Sequence, residues 1–353
     1  MMNIIQYKKE LRIGLKTALF TKEEIQQYVS YAIELHRNGV PIIFDQYHFS
    51  SLVGYDYKYI LGMSNVPKKF YKEYKLKKRH GGLRIIDEPL PDLKNIQEWI
   101  LDNILMCACR PTYISRAAKA FLPNKNIKDN AKYHLEQRML VCLDIHNFFG
   151  SIKRNKVYHV FSNFGYSKQL CTMLSYICTL DNVLPQGSPT SPMLSNLIFK
   201  PADDEIFLYC KEHNIVYTRY ADDMTFSSDK INVKCLISFI RTVVHKLGLK
   251  LNDEKIKVMS RGNAQLVTGI VVNKKLQATK KYRRRLRQEI YYIKKWGLGE
   301  HIRSLNTSIK PESYIRHLLG QVLFILFVNP EDIMAYEYKN YLNYLLEKYV
   351  RNN

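Results

Sequence analysis

Two adjacent aspartates, Asp222 and Asp223, lie within the stretch VYTRYADDMTFSSD at 216–229. Val216, Tyr217 and Tyr220 before them, and Met224, Thr225 and Phe226 after them, favour a pleated, half-buried surface. The pair therefore falls at the tip of a hairpin. Such turns ordinarily take Asn-Gly or Asp-Gly, because the central residues need positive φ. Adjacent carboxylates repel each other, and a divalent cation held against them reverses that repulsion. Magnesium binds through a few carboxylate oxygens together with substrate phosphates. A third carboxylate, Asp144, ends the apolar run beginning RMLVCLD at 138. Three such groups suit two Mg2+ ions, with Mn2+ as a substitute, roughly 3.5–4 Å apart for an in-line displacement at phosphorus. Taken alone, the same residues also fit a surface turn and a helix cap.

Further groups suit a nucleoside triphosphate. Lys77 and Arg84, in KKRHGGLRIIDEP at 77–89, offer a point charge and a forked donor for phosphates. The Gly pair between them lets the backbone turn tightly and approach a ligand. Gln186, followed by Gly187 in LPQGSPTSPMLSN at 184–196, supplies donor and acceptor together, for a sugar hydroxyl or for a turn.

These blocks, in this order, resemble the reverse transcriptases. YADD between strands is similar to their polymerase signature, LPQGSPTSPMLSN to their nucleotide-pocket block, and KKRHGGLRIIDEP to their fingers block. LKLNDEKIKVM resembles the block after the catalytic hairpin. Four such blocks, together with the strand ending at Asp144, carry far more weight than one short motif. The resemblance covers about 40–275. It implies that Asp144, Asp222 and Asp223 are catalytic and metal-binding, and that Lys77, Arg84, Gln186 and Gly187 hold the dNTP. It also implies that Phe149 is the steric gate against a ribose 2′-hydroxyl, and that Lys255 sits near the leaving group, where a merely solvated lysine is the alternative. If the strand runs on past Asp144, Phe148 and Phe149 point to opposite faces, one to the core and one to the gate.

Two shorter strings, NAKYH at 130–134 and VTGIVVN at 267–273, resemble features of the bacterial retron reverse transcriptases. Individually, Asn130 and His134 also fit a helix cap and a packed histidine. The retron resemblance implies a cognate structured noncoding RNA, bound in part by Asn130 and His134. DNA synthesis would be primed from an internal guanosine 2′-hydroxyl, giving multicopy single-stranded DNA joined to RNA. It implies, further, an effector protein and a role in anti-phage defence. A group II intron-like or other defence-associated enzyme, or a catalytically idle RNA-binding scaffold, are the alternatives. The length leaves no room for a maturase, endonuclease or RNase H domain.

The elements that must position these residues read as α+β. A helix over about 22–38 is capped by Thr21, with Glu24 completing a capping box and Gly39 stopping it. PDLKNIQEWILDNILM reads as a second, with Asp92 as cap. A strand over 138–149, a long helix after Pro192, the 216–229 hairpin, a helix near 232–247 and short strands at KIKVM and QLVTGIVV follow. The expected architecture is a right-hand polymerase: fingers and palm over 41–275, after a helical extension at 1–40. A helical, RNA-binding thumb over 276–353 completes it. In the thumb, KKYRRRLRQEIYYIKKW clusters Arg283, Arg284 and Arg285 with further cations around one helix.

Fifty-four Lys and Arg stand against 32 Asp and Glu, a net charge of +22 over 353 residues. The excess is spread along the chain, so the folded surface itself attracts a polyanion such as nucleic acid. Seven cysteines with no CxxC pair argue against a disulfide framework or zinc site and for reduced thiols in the cytoplasm. The N-terminus meets charge too early for a signal peptide, and the longest apolar run, LLGQVLFILFV, is too short to span a bilayer.

Overall fold

The structure is a computed structural model, and it describes residues 4–77, 81–305 and 309–351. Four helices lead: α1 (Ile4–Thr17), α2 (Lys22–Asn38), α3 (Gln46–Val53) and α4 (Tyr57–Asn65). A projecting antiparallel hairpin, β1 (Tyr71–Lys77) and β2 (Leu83–Pro89), precedes α5 (Pro91–Ile100) and the short α6 (Ile127–Ala131). Then come β3 (Met139–Asp144), α7 (Phe148–Ser151), α8 (Arg154–Asn163), α9 (Lys168–Ile177) and α10 (Ser191–Glu212). The hairpin of β4 (Val216–Tyr220) and β5 (Asp223–Ser228) follows, then α11 (Val233–Lys246) and β6 (Lys257–Ser260). A small three-stranded sheet of β7 (Leu266–Val267), β8 (Ile270–Val271) and β9 (Gln277–Ala278) leads into four helices. These are α12 (Lys280–Trp296), α13 (Leu298–Ser304), α14 (Pro311–Val328) and α15 (Ile333–Arg351).

The central sheet is antiparallel with strand order β4-β5-β3-β6. β3 sits inside it, and the run Leu140, Val141 and Leu143 is buried, as a strand covered on both faces requires. The main core runs from Leu35 to Leu251 and packs α5, α9, α10 and α11 around that sheet. The four last helices have their own apolar cluster, including Leu286, Ile290, Ile293, Leu318 and Leu342.

Local signals explain several elements. Thr21 N–H donates to Glu24 Oε2 at 2.8 Å, and Glu24 N–H returns a bond to Thr21 Oγ1 at 3.2 Å, a reciprocal cap. Gly39 ends α2 at φ +66°, where an added Cβ would run into the Arg110 guanidinium.

Two expectations fail. Asp92 does not cap α5: the cap is Leu90, and Pro91 takes the first helical position, where its missing N–H costs nothing. Asp92 instead accepts hydrogen bonds from the Tyr55 and Tyr59 hydroxyls. The strand expected over 138–149 stops at Asp144, because Asn147 turns the chain at φ +45° into a short helix.

Candidate active site

The hairpin between β4 and β5 is closed by only Ala221 and Asp222, with Tyr220 opposite Asp223. Ala221 takes φ +58°, a left-handed conformation costing about 1–2 kcal/mol in a residue with a Cβ. A buried network holds it there. Arg219, fully buried, donates from Nη1 to the Ala221 carbonyl at 3.0 Å. Its Nε and Nη2 bind the Asp203 carboxylate at 2.7–3.1 Å. Tyr217 donates its hydroxyl to the same carboxylate at 2.7 Å, and Asn196 accepts from Arg219 Nη1 at 3.2 Å. Asp203 and Asn196 lie seven apart on α10, hence on one face. The turn carrying Asp222 is thereby tied to the helix that follows the LPQGSPTSP block. The inward alternation of Tyr217 and Arg219 in VYTRY was the signal for this network, and the sequence reading missed it.

The strand order brings the third carboxylate alongside. Asp144, 7 % exposed, pairs in register with Asp223, and Ile145 N–H donates to the Asp222 carbonyl at 3.1 Å. Asp144 is thus brought from a distant part of the chain to the Asp222–Asp223 pair at one end of the sheet. Lys255, in a short turn after α11, donates to both oxygens of Asp144 at 2.9 Å.

The carboxylates sense one another. Asp223 is exposed as a residue, yet its carboxyl is crowded by protein, and desolvation raises its pKa to about 6. The charges of Asp222 and Asp144 add to that rise, and Lys255 and Lys257 oppose it. Asp222 is raised too, by burial and then by Asp144, against Lys255 and Arg84. Burial lowers the Lys255 pKa, but its bond to Asp144 and the three negative charges outweigh this and hold it protonated. Among the described residues no group of three or more His, Cys, Asp or Glu is gathered as a ready-made metal cage. The donor chemistry nonetheless fits a hard cation: carboxylate oxygens whose mutual repulsion it would relieve.

The fingers hairpin leans over this end. Lys77 and Arg84 are exposed at its far end, where Lys77 pairs with Leu83 and Leu76 with Arg84. Arg84 is near enough for its charge to act on Asp222. Gly81 and Gly82 turn the chain at φ +90° and +80°, while 78–80 of the same block lie outside the described residues. β2 docks on the LPQGSPTSP loop through Asp87 N–H, which donates to the Gln186 carbonyl at 2.8 Å. Gly187, at φ +142°, has no room for a side chain: a Cβ would lie 2.4 Å from the Asp87 carbonyl oxygen. Beneath, Ser188 donates to Gln97 Oε1 at 2.8 Å, and Gln97 Nε2 donates to the Tyr71 hydroxyl and the Ile177 carbonyl, each at 2.8 Å.

Phe148 is buried against Phe199, while Phe149 is half-buried beside Phe121. Phe148 lies in the core and Phe149 packs at its margin, separated by a helical turn rather than by the pleat of a continuing strand.

Asn130 and His134 lie where no RNA can reach. Both are fully buried. His134 bridges the two strands of the hairpin, with Nδ1 2.7 Å from Ser227 Oγ and Nε2 2.7 Å from Thr218 Oγ1. Burial, reinforced by the nearby Lys119 charge, lowers its pKa to about 3, so it is a neutral core residue. The exposed member of the NAKYH string is Tyr133, with Lys132 beside it. On α12, Arg284 and Arg285 are exposed, whereas Arg283 is half-buried and 3.7 Å from Asp332.

Residues 75–296 match the family described as reverse transcriptase (RNA-dependent DNA polymerase). The mixed helical and antiparallel architecture is that family's right-hand polymerase fold, and the protein is an RNA-directed DNA polymerase. More narrowly, the chain belongs to the retron reverse transcriptases. It is 30% identical over 287 residues to the Retron Ec86 reverse transcriptase of Escherichia coli, covering 80% of this chain and 83% of that protein. It is 32% identical over 289 residues to the Retron Ec83 reverse transcriptase of the same species, covering 77% and 88%. A solved structure of telomerase from Candida albicans, in complex with a fragment of telomeric RNA, has a TM-score of 0.47 at 9% identity. That match covers 79% of this chain and 62% of the telomerase.

Proposed function

We propose that this enzyme copies part of a cognate structured noncoding RNA into multicopy single-stranded DNA, beginning at the 2′-hydroxyl of an internal guanosine. The observation that supports this best is the meeting of Asp144 with the hairpin tip, in register with Asp223 and bonded through Ile145 to Asp222. On this reading the three aspartates would hold two Mg2+ ions, whose positive charge would favour a hydroxylate nucleophile and a pyrophosphate leaving group. The remaining work belongs to the chain. Lys77 and Arg84 draw in the triphosphate, and their exposure at the end of a two-stranded hairpin leaves them free to close on it. Gln186 and Gly187 shape the nucleotide pocket under β2, with Gly187 required by the close backbone. Phe149 blocks a ribose 2′-hydroxyl. Lys255 holds a proton beside Asp144, at the place from which it can be given to the leaving group.

The helices after 276 serve as a thumb, and Arg284 and Arg285 contact RNA phosphates, with Arg283 tethered to Asp332. The setting we infer is the cytoplasm, with cellular RNase H trimming the template and an effector protein guarded by the complex in anti-phage defence. Among the described residues no helix is long and apolar enough to cross a membrane.

The test is to extract nucleic acid co-purifying with the protein and treat it with debranching enzyme. The expected result is DNA that is released from RNA only when the 2′ linkage is cut. Linear DNA unaffected by the enzyme would contradict the priming mode.

A further inference from the structure

On the side of the palm sheet formed by β4, a cleft of about 740 Å3 opens between 109–125 and the first half of that strand. Ala117 and Lys119 bond to Arg219 and cover the strand there, while the cleft lies beside Val216–Thr218. Thr218 precedes Asp222 by four residues, so at about 3.3 Å per residue the cleft begins roughly 13 Å from the catalytic tip.

Its charge is one-sided. Arg110, Arg116, Lys119, Lys125 and Lys211 line it, and among the described residues no carboxylate does. Lys119 is only 7 % exposed. Its ammonium donates to the Arg116 carbonyl at 2.6 Å and lies 4.4 Å from the Tyr133 ring centre. Burial lowers its pKa, Tyr133 opposes that, and Lys125 and Lys132 add repulsion. Asp129, four residues before Tyr133, is engaged 2.8 Å from Lys132. A buried cation without a counter-charge is unfavourable in an isolated protein. A bound anion would remove that cost.

The walls name the anion's class. Tyr133 is 44 % and Phe207 40 % exposed, beside Ile114 and Leu122. A row of cations alongside exposed rings and apolar surface is the combination that takes single-stranded nucleic acid, phosphates on the charges and bases on the rings. An acidic peptide would use the cations and leave the rings idle.

We propose that this cleft is a second nucleic-acid site, seating a single-stranded stretch of RNA away from the catalytic end of the sheet. The proposal rests on the reading that the enzyme carries its own RNA, and it assigns Tyr133, flanked in NAKYH by the buried Asn130, Ala131 and His134, as the stacking platform. RNA held there is anchored to the palm while another part of the same molecule is copied.

Fluorescence anisotropy with labelled oligouridine and the full-length protein tests it. The triple variant Arg116→Glu, Lys125→Glu, Lys211→Glu changes only exposed residues. Its affinity should fall at least about tenfold, and its dependence of log K on log salt should flatten by about 2, the share of three phosphate contacts on a single strand. Tyr133→Ala should weaken binding without changing that slope. Extension of oligo(dT) on poly(rA) by the triple variant should stay near the wild-type rate. Equal oligouridine affinity and slope in wild type and triple variant would overturn the cleft and leave the RNA-carrying reading standing. A wild type that binds neither oligouridine nor co-purifying RNA would overturn both. A triple variant that loses polyglutamate binding yet keeps oligouridine would assign the cleft to an acidic protein instead.

Discussion

The two ends of one hairpin behave in opposite ways. At the tip, Asp222 and Asp223 crowd Asp144, and each carboxylate raises the cost of ionising the next. At the base, His134 sits between Thr218 and Ser227 with both ring nitrogens engaged. The base is polar and internally satisfied, so it is scaffold. The tip is charged, and among the described residues Lys255 is the side chain bonded to its carboxylates, at Asp144, so the tip waits for a ligand. Polarity alone does not mark a site; polarity lacking internal partners does.

The largest expected break in that contrast is at the tip. Asp222→Asn or Asp223→Asn should lower primer extension by at least about a thousandfold, the scale of losing metal-assisted chemistry. RNA binding and folding should persist. Because the Asp223 pKa is raised from 3.8 to about 6, its ionisation opposes folding: stability is full below 3.8 and is lost as pH rises through 6. Without divalent cations, Asp223→Asn should therefore melt higher than wild type at pH 7. A lower melting temperature would mean that the carboxylate is structural.

Next in size is the support under the tip. Arg219→Met leaves Asp203 buried and unpaired, a loss of about 3–5 kcal/mol, and frees Ala221 from its left-handed conformation. Denaturant unfolding should show the loss. Asp203→Asn with Arg219→Met should recover part of the stability without recovering the extension rate, because the Ala221 carbonyl still lacks its donor. Full recovery of rate would assign the pair to stability alone.

At the base the sign of the pH effect reverses. His134 has its pKa lowered from 6.5 to about 3, so its contribution is intact above 6.5 and is lost as pH falls toward 3. The acid limb should steepen by up to about 1.4 kcal/mol per pH unit there. His134→Gln should flatten that limb while leaving RNA affinity unchanged; a selective loss of RNA binding would return His134 to the interface.

Smallest is the gate. Phe149→Ala should admit ribonucleotides with little change in dNTP turnover, read as the ratio of kcat/KM values. Unchanged discrimination would move the gate elsewhere.

These contrasts also explain what the sequence disclosed. The hairpin, its aspartates and the reciprocal cap of α2 were legible because each depends on neighbours in the chain: alternation, a turn, a three-residue spacing. The buried Arg219–Asp203 pair was not, since its partners are joined only when α10 packs on β4. NAKYH pointed to the right family, and His134 is the packed histidine that was its alternative reading. The RNA contact implied by the resemblance is what burial removes, because which residues of the string face outward depends on strands 84 and 93 residues away. Asp92 likewise looked like a cap until Pro91 took the helix start and two tyrosine hydroxyls claimed the carboxylate.

The most direct test is a Mn2+ titration followed by electron paramagnetic resonance, with wild type and Asp223→Asn, each in the presence of dNTP and primed template. The account predicts ions bound by wild type and lost, together with extension, in a variant that remains folded. A folded Asp223→Asn protein that binds Mn2+ as tightly as wild type and still extends the primer would contradict it.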